Sequence, residues 1–111
     1  DAEVREAAAH ALRRLGDAAL EPLLARLHDP QPAVRRTVAQ SLLLAKDERV
    51  VDALIESLAD EDEEVVTAAI RSLGWSKAQR AAPPLEKIVR EDKREALVRQ
   101  AGFALKELGG Q

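Results

Sequence analysis

The sequence contains no cysteine, methionine, tyrosine or asparagine, and it has only one tryptophan and one phenylalanine. Because cysteine is absent, disulfides and thiolate metal sites are excluded. No apolar run approaches the ~18 residues that a membrane-spanning helix requires, and no N-terminal signal pattern is visible. The net charge of −3 argues weakly against nucleic-acid binding. We therefore expect a cytoplasmic protein that binds neither membranes nor nucleic acid.

The missing residue types also bear on the source of the sequence. Depletion of oxidisable and deamidating residues is a tendency of thermophile proteins, and arginine outnumbers lysine by more than two to one. This thermophile-like composition favours a thermophilic or GC-rich prokaryote, and an engineered or consensus-derived sequence is the alternative. Because there is no initiator methionine, we expect a trimmed chain or a fragment of a longer protein.

The sequence does contain a helical pattern that occurs four times. In the first copy, apolar side chains fall on one face of a 3.6-residue period, at Val4, Ala8, Ala11, Leu12 and Leu15. The pattern restarts at Val34, Val65 and Leu97, after steps of 30, 31 and 32 residues. Self-similarity with a period of roughly 20–50 residues is typical of solenoid proteins.

Between these first-type helices, the sequence predicts second-type helices with an apolar face of their own. Their inward residues are Leu20, Leu23, Leu24 and Leu27, then Val51, Leu54, Ile55 and Leu58, and finally Ala82, Leu85 and Val89. In the last of these helices Glu86 stands at an apolar position, and a small rotation that brings Ile88 inward would compensate. Pro30 and Pro32 separate the first two repeats, because two prolines so close together cannot lie inside a helix.

We predict an all-α fold, a right-handed α-solenoid of antiparallel helix pairs with about seven helices. One domain would span residues 1–111, with repeats at approximately 1–29, 30–60 and 61–92 and a half-repeat at 93–111. Stacking would bury a leucine row beside a small-residue row, because small residues let helices approach while leucines fill the neighbouring grooves. The rows are Leu12, Leu42, Leu73 and Leu105, and Ala11, Ser41, Ser72 and Ala104.

Capping residues indicate where several helices begin. Asp47 is the expected N-cap of the fourth helix. The spacing from Asp60 to Glu63, and from Asp92 to Glu95, is that of a capping box. The acidic run that begins at Asp60 could also suggest a cation site. A contiguous helical run cannot wrap an ion with oxygens, so we interpret this run as a helix N-terminus.

Residues 4–29, VREAAAHALRRLGDAALEPLLARLHD, resemble a HEAT repeat of the short prokaryotic type, also described as the bilin-lyase HEAT-like repeat. The Val-Arg opening, the Ala-Leu pair, the Leu-Gly-Asp turn and the Pro-Leu-Leu of the second helix carry the resemblance. It covers the whole chain as about three and a half repeats. The resemblance implies that the second-type helices line a concave face, which in this family usually binds partners.

The third repeat departs from the family pattern at two places. Val66 replaces the arginine found at Arg5 and Arg35, and residues 76–77 are Ser-Lys instead of Leu-Gly. Because glycine commonly ends a helix, the first helix of this repeat is expected to end near Gly74. The connection that follows is expected to be looser than in the first repeat.

Enzymes with similar repeats provide alternatives that the sequence disfavours. The di-iron hydroxylases of this fold use His-Glu dipeptides, whereas here His10 precedes Ala11 and His28 precedes Asp29. DNA glycosylases with HEAT-like repeats rely on basic concave surfaces and aromatic residues, which this acidic chain has few of. GxSxG, GxxxxGK[ST] and GxGxxG are absent. We expect no catalytic residue, no metal and no cofactor.

The resulting hypothesis is a non-catalytic scaffold that binds another protein through a concave helical surface. The alternatives are a domain or subunit of a chromophore (bilin) lyase-like protein, and an engineered repeat scaffold without a natural ligand. The predicted partner-binding residues lie outside the apolar sets of the second-type helices. They are Glu21, Arg26, Asp52, Glu56, Lys87 and Arg90, acid-leaning in the first two repeats and basic in the third. Such a bipolar surface would orient an asymmetric partner.

Two aromatic residues are further candidates for contacts. Trp75 lies at a turn, where it either packs against the sixth helix or anchors a partner, since tryptophan is enriched at binding hot spots. Phe103 lies far around the helical wheel from the inward face of its helix. It is either an isolated exposed residue or a contact with a longer parent chain, a partner or a second copy. A monomer is expected, and weak self-association through Phe103 is the alternative.

Overall fold

The computed structural model describes the backbone of residues 17–42 and 47–109, and the side chains of residues 20–42 and 47–109. Within these ranges it contains six α-helices and no strand. The helices are α1 (Asp17–Ala25), α2 (Pro32–Ser41), α3 (Glu48–Ser57), α4 (Glu63–Ser76), α5 (Ala82–Glu91) and α6 (Glu95–Glu107). Short 3-10 turns at Arg26–His28 and Gln79–Ala81 follow α1 and precede α5.

The all-α prediction is confirmed, with α2, α4 and α6 as first-type helices and α1, α3 and α5 as second-type helices. The first of the seven predicted helices, with His10 and the first members of the leucine and small-residue rows, lies outside the described residues. Helices α2, α4 and α6 pack against one another in chain order, while α3 packs on α4 and α5 on α6. The result is a solenoid stack, elongated to 38 × 27 × 18 Å, in which each repeat rests on its neighbours.

The apolar faces of both helix types form one core cluster. Leu42 and Leu73, from the leucine row, have no exposed surface. Leu105 is half-buried, because no described helix covers α6 on its far side. Ser72 and Ala104, from the small-residue row, are buried where α4 meets α6. Since burial of a leucine side chain contributes ~1.5–3 kcal/mol, the leucine row is a large part of the stability of the stack.

Helix α5 is rotated as the sequence suggested. Leu85 and Ile88 are buried, whereas Val89 is 39% exposed. The inward position predicted for Ile88 is confirmed, and the one predicted for Val89 is wrong. Successive residues of an α-helix are about 100° apart around the axis, so turning Ile88 inward carries Val89 out of the core.

The turns between repeats share one contact. Oδ1 of Asp29, Asp60 and Asp92 accepts a hydrogen bond from the backbone N–H of Gln31, Asp62 and Arg94, each at 2.8 Å. This is the Asx turn, in which an aspartate side chain binds its own backbone two residues later. The capping boxes predicted at Asp60 and Asp92 are wrong, because these carboxylates close the turn before the helix begins.

The N-caps lie two residues further along the chain. Asp62 is the N-cap of α4, and its Oδ1 accepts the N–H groups of Glu64 and Val65. Helix α6 has Arg94 at the N-cap position, and the Arg94 side chain accepts no capping hydrogen bond from the first turn of the helix. The predicted N-cap of α3 is confirmed, since Asp47 accepts the backbone N–H two residues later at 2.8 Å.

Helix α4 continues past Gly74 to Ser76, so the helix end predicted near Gly74 is wrong. Gly74 is buried, and a Cβ atom there would lie 2.5 Å from Oε1 of Glu107 and 3.1 Å from Cβ of Ala104. The glycine therefore allows close packing of α6. The helix instead terminates at Lys77, whose φ of 59° is left-handed and whose N–H donates to the Gly74 carbonyl at 3.2 Å. The connection predicted to be loose is thus a defined C-cap.

An ion pair joins the second repeat to the turn before the third. Nε and Nη2 of Arg35 donate to the two carboxylate oxygens of Asp60 at 2.8 and 3.1 Å, and Nη1 donates to the Asp29 carbonyl at 2.7 Å. The side chains of Arg35 and Asp60 are only 16% and 11% exposed. The hydrogen bond to Asp60 raises the pKa of Arg35. Arg36 pairs in parallel with Asp62 at 3.2 Å.

At the next turn, no such long-range pair occurs between described residues. Val66, at the position that corresponds to Arg35, is fully buried. Asp92 instead binds Arg94 of its own turn, through Nη2 at 2.8 Å and Nε at 3.0 Å. Hydrogen bonds from the side chain and then from the backbone N–H of Arg94 lower the pKa of Asp92 to about 2.

Candidate functional site

The six residues predicted to bind a partner all lie on the second-type helices or the turn after α1, and all are exposed. They are Glu21, Arg26, Asp52, Glu56, Lys87 and Arg90. Because α1, α3 and α5 belong to successive repeats, their exposed side chains are spread along the stack. Every one of these side chains is thus accessible to a partner, and their role in binding stays a prediction.

Two acidic residues of this set pair with arginines that the sequence analysis did not consider. Nη1 of Arg49 lies 3.4 Å from Oε2 of Glu21, and Nη2 of Arg80 lies 2.9 Å from Oδ1 of Asp52. Arg80 also pairs with Glu48. The hydrogen bond to Asp52 raises the pKa of Arg80. Each arginine reaches the preceding second-type helix across 28 residues of sequence, and this equal spacing was the signal that could have revealed both pairs.

These pairs change the electrostatics expected for the surface. Glu21 and Asp52 are partly neutralised by a cation from the following repeat, although each pair is exposed enough for solvent to screen it. Glu56 contacts His28 at 3.4 Å, with both side chains more than two-thirds exposed. Within the described residues Lys87 makes no ion pair or hydrogen bond. Arg90 in turn lies 3.9 Å from Oε2 of Glu91 on its own helix, so both halves of the predicted gradient are partly offset.

A second candidate surface is a shallow groove between α4 and α6 on the first-type helices. Its volume is about 470 Å³. It is bordered by Trp75 and Phe103, which are 50% and 66% exposed. Arg71 and Arg99 also line it, and Ile70, Gln100, Ala104 and Glu107 complete the lining. Oε1 of Gln100 is buried there without a hydrogen-bond donor.

The structure thus brings Trp75 and Phe103 to one site, although the sequence analysis treated these two residues as separate features. Phe103 is not folded back onto its own repeat. Trp75 and Phe103 are 28 residues apart in the sequence, which is about one helical turn less than the repeat step of 32 residues. Because α4 and α6 pack side by side, this spacing places the two side chains one turn apart on neighbouring helices. Parallel stacking of first-type helices was the signal that could have placed the two residues in the same groove.

Across residues 17–42 and 47–109, no group of three or more His, Cys, Asp or Glu side chains has a geometry that could hold a metal ion. None of the six described helices is both long enough and apolar enough to span a membrane.

Comparison with known protein families adds to this geometry. A family model described as HEAT repeats matches residues 20–106, and a model described as PBS lyase HEAT-like repeat matches residues 4–29. No curated protein gives a significant match. HEAT repeats commonly mediate protein–protein interaction. Because the first match spans most of the sequence and agrees with the stacked helices described above, this chain belongs to the HEAT-repeat family.

Proposed function

We propose that this protein is a non-catalytic scaffold that binds another protein through the surface of its second-type helices. The observation that carries the proposal is the set of six exposed polar side chains on three successive repeats. A packed stack holds the backbone of these positions at fixed spacing, so binding orders side chains only and not whole chain segments. This is the physical advantage that a solenoid has over a flexible segment.

The charges of the surface indicate how a partner would be oriented. Arg49 and Arg80 offset the acids at Glu21 and Asp52, so Glu56 is the acid of this set that pairs with no described arginine. Lys87 and Arg90 form the basic end on α5, where Glu91 partly offsets Arg90 at 3.9 Å. A partner with an acidic region opposite α5 would be steered to it, with a rate that depends on salt.

The test compares two charge-neutral double variants. Glu56→Lys with Lys87→Glu reverses the proposed gradient, whereas Glu95→Lys with Lys106→Glu changes the same charges at exposed positions of α6. Proteins captured from the source organism by wild type, and by each variant, are quantified by mass spectrometry. A genuine partner is kept by the α6 control and lost from the gradient variant. Its association rate with the gradient variant falls about tenfold at low salt.

The proposal fails if no captured protein distinguishes the two variants, or if the association rate and its salt dependence are the same for both. In either case the charges of α3 and α5 play no part in recognition.

The match of residues 4–29 to the PBS lyase HEAT-like repeat favours a second candidate function. The chain would then be a domain or subunit of a chromophore lyase-like protein. Incubation with a free bilin and an apo-phycobiliprotein distinguishes the two. A lyase role predicts that the chain speeds covalent attachment, measured by bilin fluorescence of the acceptor after denaturing electrophoresis. A scaffold for an unrelated partner leaves the attachment rate unchanged.

A further inference from the structure

The whole sequence has two aromatic residues, and both border the groove between α4 and α6. Single exposed apolar residues are common on protein surfaces. Trp75 and Phe103 differ from this background, because neighbouring repeats place them together over one concave site of about 470 Å³. That volume is within the range of sites that hold a small molecule or a few side chains.

The groove is also flanked by available positive charge. Arg71 on α4 and Arg99 on α6 are exposed, and neither forms an ion pair or a hydrogen bond within the described residues. By contrast, six other arginines in the described part of the chain pair with carboxylates: Arg35, Arg36, Arg49, Arg80, Arg90 and Arg94. The guanidinium groups at the groove can therefore bind the carboxylates of an incoming molecule in bidentate geometry.

Small residues lie at the contact of α4 and α6 beside the groove. Ala104 is buried and lines the groove, and Gly74 packs so close to it that an added Cβ would lie 3.1 Å from Cβ of Ala104. Gln100 presents a buried carbonyl oxygen that lacks a donor. Glu107 adds a single negative charge at the lining, so the two arginines leave the groove with a net positive charge.

We propose that this groove binds a short segment of another protein, in which an apolar side chain lies within one helical turn of aspartate or glutamate. The apolar side chain packs between Trp75 and Phe103, and the carboxylates pair with Arg71 and Arg99. The site lies on first-type helices, away from the surface proposed above on α1, α3 and α5, so either can exist without the other.

Trp75 makes the test direct, because it is the only tryptophan and its fluorescence reports on the groove alone. A tryptophan-free random peptide library is selected on wild type and depleted on Phe103→Ser. The expected enriched peptides share an apolar residue with nearby Asp or Glu, and their binding shifts Trp75 emission to shorter wavelength. Affinities of about 10–100 μM are expected for so small an interface.

Variants then separate the two parts of the proposal. Phe103→Ser weakens the enriched peptides at least about tenfold, as loss of an aromatic anchor does. Arg71→Glu with Arg99→Glu weakens them by a similar factor at low salt and less at high salt. Lys93→Glu, at an exposed cation that makes no ion pair in the described residues and lies outside both proposed surfaces, leaves binding unchanged. All these positions are exposed, and circular dichroism checks that each variant is folded.

Three results would overturn the proposal. One is that no peptide distinguishes wild type from Phe103→Ser. Another is that the enriched peptides are apolar or basic without acidic residues. The third comes from light scattering. If wild type dimerises at millimolar concentration and Phe103→Ser does not, the occupant is a second copy of this chain.

Discussion

The turns that precede α4 and α6 have the same backbone geometry and different ion pairs. In both, an aspartate, Asp60 or Asp92, accepts the N–H two residues later at 2.8 Å. Asp60 is held by Arg35, which lies 25 residues earlier on another helix. Asp92 is held by Arg94 of its own turn. The first turn is thus tied to the preceding repeat, whereas the second is closed on itself.

The cause of this difference is one position of the first-type helix. Where the second repeat has Arg35, the third has Val66, which is completely buried. A valine adds apolar contact, but it cannot pair with Asp92 as Arg35 pairs with Asp60. Arg94, two residues after Asp92, forms the ion pair instead. One junction is therefore fixed partly by a directional ion pair, and the other by apolar packing. Four sets of substitutions test how apolar packing and polar contacts hold the repeats together.

The largest effect is expected from the leucine row. Leu42→Ala removes a side chain with no exposed surface and should lower the free energy of unfolding by about 2–5 kcal/mol. Leu105→Ala should cost about 1–2 kcal/mol, because Leu105 is half-buried and its surroundings can relax. Urea denaturation monitored by circular dichroism measures both. Equal losses would contradict the inference that the last described helix is a weakly covered end.

The next effect concerns the two ion pairs. Arg35→Ala leaves the carboxylate of Asp60 nearly buried and without its cation, so Tm should fall by about 4–8 °C. Arg94→Ala should lower Tm by less than half as much, because the Arg94 side chain is 40% exposed and its pair spans one turn. Arg99→Ala, at an arginine without a partner in the described residues, is the control. If Arg35→Ala behaves like this control, the junction does not depend on the ion pair.

Acid should affect the Asp92 turn in a defined pH range. The pKa of Asp92 is lowered to about 2 in the folded chain, from an ordinary value near 3.8. Its stabilising contribution is therefore complete above about pH 4 and is lost as the pH falls towards 2. Tm of Asp92→Asn should be lower than that of wild type at pH 6, and the two should converge near pH 2. A Tm difference that is constant over this range would show that ionisation of Asp92 does not matter.

The smallest effect separates two serines of the small-residue row. Oγ of Ser41 donates to the Thr37 carbonyl at 2.7 Å. Oγ of Ser72 is buried and has no hydrogen-bond partner among the described residues. Ser72→Ala removes an unsatisfied hydroxyl and improves helix propensity, so it should stabilise the protein by about 0.5–1 kcal/mol. Ser41→Ala should gain less, and a loss of stability in Ser72→Ala would indicate a hydrogen bond to that hydroxyl.

The repeat period explains why the fold could be predicted from the sequence. Rows such as Leu42 and Leu73 fix both the helical face and the stacking, because only one face of each helix can be buried. The ends of the helices were harder to predict from the sequence. Asp60 and Asp62 are both aspartates, and pattern alone does not tell the Asx turn from the N-cap. Glycine is equally ambiguous, since Gly74 could end a helix or admit a neighbouring one.

The candidate sites were predicted only in part. Exposure of Glu56 and Lys87 follows directly from the helical period. The pairing of Arg49 and Arg80 with earlier acids depends on distances between repeats, which the period of one helix does not contain. The same holds for Trp75 and Phe103, which share a groove only because first-type helices stack in parallel.

Gly74 has a consequence for how this sequence can change over time. In most helix interiors, alanine in place of glycine would stabilise by about 0.5–1 kcal/mol. Here an added Cβ would lie 2.5 Å from Oε1 of Glu107 and 3.1 Å from Cβ of Ala104, so the Glu107 side chain would have to move. Glu107 also lines the groove bordered by Trp75 and Phe103. A substitution that strengthens the isolated helix would therefore rearrange the lining of the proposed groove, so helix propensity and the shape of that groove make opposite demands on this residue.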